Sequence, residues 1–188
     1  MKVLAFAGSN SQQSINRQLL SYVSRQMSRI DVQILDLNDY EMPLFSIDRE
    51  RAFGDSPAEA YRFFKKITDA DGVMISFAEH NGSYSVAYKN LFDWTSRIDR
   101  KVYQGKPMAL FATSPGPGGG RNVLSSATSS LPHFGGNVVA SLSIPRFSTV
   151  FDVESSQVTD ESTKAQIVEV LTTFTDAISQ ARDHVSPE

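Results

Sequence analysis

Five short apolar runs alternate with five longer stretches whose apolar residues recur at helical spacing, and this order, kept along the whole chain, admits few folds. The runs span residues 2–7, 31–37, 72–77, 106–113 and 137–144. The third, Gly-Val-Met-Ile-Ser-Phe, is continuous rather than alternating, which marks a strand buried on both faces. Ile15, Leu19, Leu20, Val23 and Met27 form the stripe of an amphipathic helix over 14–28. Ser56 as N-cap, Pro57 at the first helical position and an early Glu59 open a helix that runs to residue 68. Further helices are predicted over 84–97, rich in Tyr84, Tyr88, Leu91, Phe92 and Trp94, over 122–134, and over 159–182 through Val168, Leu171, Phe174 and Ile178. Residues 38–55, holding Pro43 and Gly54 without a sustained period, read as a long loop, and long loops often carry function. Residues 184–188 read as a frayed end. The order predicts an α/β fold: an open parallel sheet with helices on both faces, whose ligands sit outside the carboxyl ends of the strands.

Composition removes several kinds of chemistry. A chain of 188 residues, 40% hydrophobic, suits one compact domain over 1–188. Lys plus Arg number 18 against 21 for Asp plus Glu, a net charge of −3, so no basic excess draws nucleic acid. The absence of cysteine excludes disulfides, thiolate catalysis and Cys-type metal sites, and His80, His133 and His184 are too scattered to suggest a metal site. No apolar run reaches the ~18 residues of a membrane span, so no membrane insertion is expected. The first seven residues lead into Gly8-Ser9-Asn10-Ser11 rather than a cleavage site, which reads as a first strand of a cytoplasmic protein.

Three loops follow predicted strands and can converge on one crevice. Residues 8–16 lie where a helix begins, so free N–H groups and the helix dipole favour an anion. Ser9, Ser11, Ser14 and Asn16 add short donors suited to a phosphate monoester, or else simply cap the helix. The loop lacks both the Walker lysine and the Gly-x-Gly-x-x-Gly fingerprint. Residues 78–83 read as a strand-to-helix turn with Ser83 as N-cap, or as a ligand loop in which Gly82 admits close approach and Asn81 donates and accepts. Residues 114–120 hold Gly116, Gly118, Gly119 and Gly120, a density that suits a backbone laid against a flat ring better than a plain connector.

Taken in order, Gly8-Ser-x-x-x-x-Ser14-x-Asn16, then Glu79-x-Asn81-Gly82-Ser83 leading to Lys89-Asn90-x-x-Asp93-Trp94, then Ser114-x-Gly116-x-x-Gly119-Gly120 resemble the NADPH-dependent FMN reductase family over roughly residues 1–150. The resemblance implies a flavodoxin-like three-layer sandwich with a five-stranded parallel sheet in the order 2-1-3-4-5, and FMN at the carboxyl ends of its strands. It implies NADPH or NADH as electron donor, with hydride passing through the flavin to a small acceptor: a flavin, quinone or azo compound. By position, Ser9, Ser11, Ser14, Ile15 and Asn16 would hold the FMN phosphate. Glu79, His80, Asn81, Gly82 and Ser83 would line the isoalloxazine, and Ser114, Gly116, Gly119 and Gly120 would meet its far polar edge. A homodimer or homotetramer is implied, with the surplus apolar surface of the aromatic helix either at its interface or taken up in the core.

The chain departs from the family in having Ser11 where Arg or Lys is usual, which predicts looser FMN binding unless Arg17 or a partner subunit supplies the charge. Ala78 and His80 stand where Pro and Tyr are usual. No side chain is assigned as catalytic acid or base; His80 is either a proton donor to a quinone or, the reading its loop position favours, an exposed histidine without such a role. Arg97, Arg100, Lys101 and Arg121 are either a site for the NADPH 2′-phosphate or a solvated surface, and Arg49, Glu50 and Arg51 are candidates for gating. Two rival readings stand beside the reductase: a flavodoxin-like electron carrier, and a non-enzymatic sensor or partner-binding protein that has lost FMN.

Overall fold

The computed structural model describes residues 1–183, so the reading of 184–188 lies outside the described residues. In chain order the elements are β1 (Lys2–Gly8), α1 (Ile15–Arg25), β2 (Asp31–Leu35), a 3₁₀ turn (Leu37–Tyr40), α2 (Ile47–Phe53), α3 (Ala58–Thr68), β3 (Gly72–Phe77), the hairpin β4 (Glu79–His80) and β5 (Ser83–Tyr84), and α4 (Val86–Ile98). There follow β6 (Pro107–Thr113), α5 (Arg121–Ser130), a 3₁₀ turn (Leu131–Phe134), β7 (Asn137–Ile144), α6 (Phe147–Val150), the hairpin β8 (Phe151–Asp152) and β9 (Gln157–Val158), and α7 (Glu161–Asp183).

The main sheet runs β2-β1-β3-β6-β7 with every pair parallel, the flavodoxin-like order 2-1-3-4-5 when only its own strands are counted. Alternation along β1 divides the interior. Leu4 and Phe6 join Phe63, Ile75, Tyr88 and Trp94 on one face, while Val3 and Ala5 join Leu19, Phe111, Phe174 and Ile178 on the other. Each fully buried Val, Leu, Ile or Phe side chain among these contributes about 1.5–3 kcal/mol. Chain order reverses at β1, so the loops after β1 and β3 leave on opposite faces and open a crevice at the carboxyl edge.

Several sequence expectations need correction. Residues 38–55 are not a bare loop, because α2 forms there between an N-cap, Ser46, and a left-handed C-cap, Gly54. That helix buries no residue, so it has no apolar stripe to read; its caps and the stacking of Phe53 on Trp94 at 5.9 Å hold it. Ser56 does not cap α3: Pro57 occupies the N-cap position without a side-chain bond. Tyr84 belongs to a hairpin rather than to the following helix, whose N-cap is Ser85, not Ser83. Val168 is 58% exposed, and α7 buries Thr163, Ile167, Val170, Leu171, Phe174 and Ile178 instead.

The aromatic surplus of α4 is largely covered from within the chain. Phe92 meets Phe134 edge-on at 4.8 Å and stacks on Tyr103 at 6.2 Å, while Phe45 lies edge-on to Trp94 at 5.0 Å. Among the described residues, no helix is long and apolar enough to cross a membrane.

Candidate functional site

Asn16 decides how the first loop sits. It is buried at the start of α1, donates from Nδ2 to the carbonyl of Thr113 at 3.2 Å, and accepts from the Thr113 N–H at 3.0 Å and the Ser76 hydroxyl at 2.9 Å. Its side chain therefore ties α1 to the ends of β3 and β6, and what it offers a ligand is its backbone. The N–H groups of Ile15 and Asn16 have no acceptor among the described residues. Ser14 is the N-cap, accepting from the Arg17 N–H at 3.3 Å, and the Ser9 hydroxyl accepts from the Ser11 N–H at 3.2 Å. Arg17 does not bring free charge to this loop, because its guanidinium meets Asp36 at 2.5 Å. The Asn38 N–H, then the Asn38 side chain and Arg17, hold the Asp36 carboxyl below its usual value against the opposing effect of partial burial.

The second loop is a two-residue hairpin, with Asn81 (φ 52) and Gly82 (φ 78) both left-handed at its tip. Asn-Gly between paired strands is a strong short hairpin signal, so Gly82 is needed by the turn itself. His80 and Ser83 are exposed on this hairpin. Glu79 turns away from it and laps the start of α5, accepting from the N–H groups of Asn122 at 2.9 Å and Val123 at 3.0 Å. The N-cap of α5 is Gly120, which has no side chain to cap with, and Glu79 supplies the missing acceptor. The second and third loops are thereby locked together.

The third loop is pinned on both sides. Gly116 and Ser114 carbonyls accept from the N–H groups of Arg146 at 3.0 Å and Phe147 at 3.1 Å, and the Gly119 carbonyl accepts from the Ser143 hydroxyl at 3.0 Å. Protein packing, not a ligand, requires glycine at 119: its φ is +61°, and a Cβ there would lie 2.5 Å from Ser143 Oγ. Gly116 differs, with nothing within 4 Å of the position a Cβ would take. The N–H groups of Gly119 and Gly120 have no acceptor among the described residues.

Between the first loop, the segment after β2 and the start of α4 lies a cleft of about 300 Å³. Its walls include Tyr40, Met42, Leu44, His80, Val86 and Asn90. The sequence signal for Tyr40, Met42 and Leu44 was only the length of the 38–55 segment, since residues that line a cleft from an irregular segment follow no period. The basic group read at 97–121 is split. Arg97 pairs with Glu50 at 2.6 Å; Arg100 and Lys101 lie on the segment leading into β6, at the amino edge of the sheet; Arg121 stands at the carboxyl edge, where its N–H and that of Arg146 both donate to carbonyls of the third loop.

Residues 1–148 match the family described as NADPH-dependent FMN reductase. A 2-hydroxy-1,4-benzoquinone reductase from Burkholderia is 35% identical over 118 residues, 62% of each chain. A quinone reductase from Escherichia coli K12 is 26% identical across 97% of both chains. The chain thus spans 62% of the length of the first of these relatives and nearly all of the other. Among solved structures, FerB, a flavoenzyme NAD(P)H:(acceptor) oxidoreductase from Paracoccus denitrificans, superposes with a TM-score of 0.76 at 25% identity, over 95% of this chain and 97% of that one.

Proposed function

The chain belongs to the NADPH-dependent FMN reductase family, and from that premise we propose that it binds FMN along the three strand-end loops and passes reducing equivalents from NAD(P)H to a small acceptor such as a quinone. The observation that carries this reading is the coupling of the loops: Asn16 and Glu79 lock them at one edge of the sheet, where the N–H groups of Ile15, Asn16, Gly119 and Gly120 have no acceptor among the described residues.

The donor set fits FMN. At the first loop the N–H groups of Ile15 and Asn16 and the hydroxyls of Ser9, Ser11 and Ser14 would hold the phosphate at the positive end of α1. The hairpin from Glu79 through His80, Asn81 and Gly82 to Ser83 would flank the ring, with Glu79 acting through its backbone because its carboxylate is engaged at α5. The open side of Gly116 admits a flat edge, beside Ser114, and the Gly119 and Gly120 N–H groups would stabilise negative charge there as donors in an oxyanion hole do. Bound FMN supplies the hydride-accepting and hydride-donating centre.

The chain's own residues position and exclude. Tyr40, Met42, Leu44 and Val86 shed water from the cleft, and His80 on its rim is the side chain placed to hand a proton to a quinone oxygen. Arg121 and Arg146, exposed and without a carboxylate partner among the described residues, suit the phosphates of the dinucleotide donor. Exposed Leu44, Ile47, Phe53 and Val86 favour a homodimer or homotetramer formed over this face. The reading places the protein in the cytoplasm, where NAD(P)H is supplied.

The test is spectroscopic. Purified protein is titrated with FMN, and NADPH or NADH is then added without oxygen. Bleaching of bound flavin is expected. Bound flavin that does not bleach supports the carrier instead, and no binding at near-millimolar FMN removes both.

A further inference from the structure

Asn90 and Trp94, from the Lys-Asn-x-x-Asp-Trp stretch of α4, direct their polar atoms at one short segment. Asn90 accepts from the Phe45 N–H at 2.8 Å and donates to the carbonyls of Met42 at 3.1 Å and Pro43 at 3.2 Å. Trp94 donates from Nε1 to the same Pro43 carbonyl at 2.7 Å. Residues 42–45 belong to no helix or strand and make no backbone–backbone hydrogen bond among the described residues. An extended segment of this kind samples many conformations unless side chains restrain it. The restraint comes from α4, whose Trp94 is fully buried and touches Phe45 edge-on at 5.0 Å. Met42 and Leu44, on the segment held by these bonds, line the cleft together with His80, Val86 and Asn90 itself.

We propose that Asn90 and Trp94 are positioning residues which clamp segment 42–45 as a fixed wall and thereby set the size of acceptor the cleft admits, favouring small one-ring quinones over extended multi-ring dyes. This rests on the reductase reading. The cleft, at about 300 Å³, lies at the small end of the ~300–1,000 Å³ typical of ligand pockets, so a wall that shifts changes a large share of its width. Its lining sets Tyr40, Met42, Leu44 and Val86 beside the neutral amides of Asn10, Asn38 and Asn90 and the carboxylate of Glu41, with no lysine or arginine among the described lining residues, which suits a neutral hydrogen-bonding quinoid ring better than a sulfonated dye.

The experiment compares wild type with Asn90→Ala, which removes three of the bonds, and with Trp94→Phe, which keeps an aromatic ring but removes the donor together with part of the buried indole. The flavin-loaded enzymes are assayed with p-benzoquinone and with a sulfonated two-ring azo dye, FMN affinity is measured by fluorescence, and amide exchange is followed at Phe45. Exchange is expected to rise about tenfold or more in Asn90→Ala. KM for benzoquinone is expected to rise about three- to tenfold with kcat little changed, while KM for the dye stays level or falls. FMN affinity is expected to hold. Unchanged exchange and unchanged acceptor preference overturn the clamp, as does an equal rise in KM for both acceptors. Weakened FMN binding overturns the assignment of this wall to the acceptor. If Asn90→Ala does not fold, Trp94→Phe decides alone by the same ratio of KM values. A wild-type protein that binds no FMN overturns the reductase reading and the acceptor role together, whereas Phe45 exchange reads the anchoring without flavin.

Discussion

The carboxylate of Glu79 caps α5 at Val123: one oxygen accepts from the Val123 N–H at 3.0 Å and from the neighbouring Asn122 N–H at 2.9 Å. A residue of the second loop thus completes the helix that leaves the third, and the anion-binding end of α5 is filled from within the chain. The Glu79 carboxylate is therefore committed to α5, which leaves the backbone of Glu79 for the ring contact that the family resemblance implies.

Glu79→Ala is expected to cost about 0.5–2 kcal/mol, the usual price of a lost cap, and to weaken FMN binding because the second and third loops separate. Glu79→Gln keeps an acceptor without the charge and is expected to cost about half as much. Urea unfolding and FMN titration of both variants check this.

Gly119→Ala and Gly116→Ala are expected to differ in kind. At 119 the added methyl meets Ser143 Oγ at 2.5 Å and the Pro145 nitrogen at 2.9 Å with φ at +61°, so stability falls by about 1–3 kcal/mol. At 116 the methyl meets nothing within 4 Å, so stability stays within about 0.5 kcal/mol while FMN affinity drops. Equal effects on folding would contradict the open side assigned to Gly116.

Asp36 answers the charge of Arg17 at 2.5 Å, so Asp36→Asn is expected to free that charge and tighten FMN binding by about 1 kcal/mol, roughly fivefold. Ser11→Arg is expected to act in the same direction, and unchanged retention would show that Ser11 is not at the phosphate. The Asp36 carboxyl is held below its ordinary 3.8, so the stability it contributes is present above about pH 4 and lost as pH falls through the lower folded value. The stability gap between wild type and Asp36→Asn is therefore expected to narrow below pH 4 in urea melts.

Tyr88 and Tyr103, both fully buried, share a hydrogen bond of 2.9 Å between their hydroxyls. Removing either oxygen leaves the other unsatisfied, so Tyr88→Phe and Tyr103→Phe are each expected to cost about 1–3 kcal/mol, and the double variant less than the sum. Burial lifts both phenols above their ordinary 10.0, so their stabilising effect is intact below about pH 10 and is lost as pH rises toward the folded values. The double variant is expected to unfold less steeply with alkali.

The strands of the main sheet were legible because the central ones, buried on both faces, are written in consecutive apolar residues, as in Val73-Met74-Ile75, and because the helices between strands carry a stripe, whereas the strand order came from the family resemblance and not from any local pattern. α2 was not legible, since an exposed helix with no buried residue leaves only its caps, Ser46 and Gly54, to announce it. The hairpin at Asn81-Gly82 had a signal of its own, but strands of two residues are too short for alternation to show.

By itself the sequence determined the sheet, the three loops at its carboxyl edge and the family, because these depend on local patterns that survive without a partner in space. Only the tertiary structure decided which partners within the chain the loop side chains take. Asn16 and Glu79 are written like ligand contacts, and their side-chain polar atoms are satisfied by Thr113, 97 residues away, and by Asn122 and Val123, 43 and 44 residues away, which leaves their backbones to face a ligand. Likewise nothing local connects Asn90 and Trp94 to Pro43, 47 and 51 residues earlier. A buried polar group must find a partner, and which partner it finds is settled by how the elements pack rather than by its neighbours in the chain.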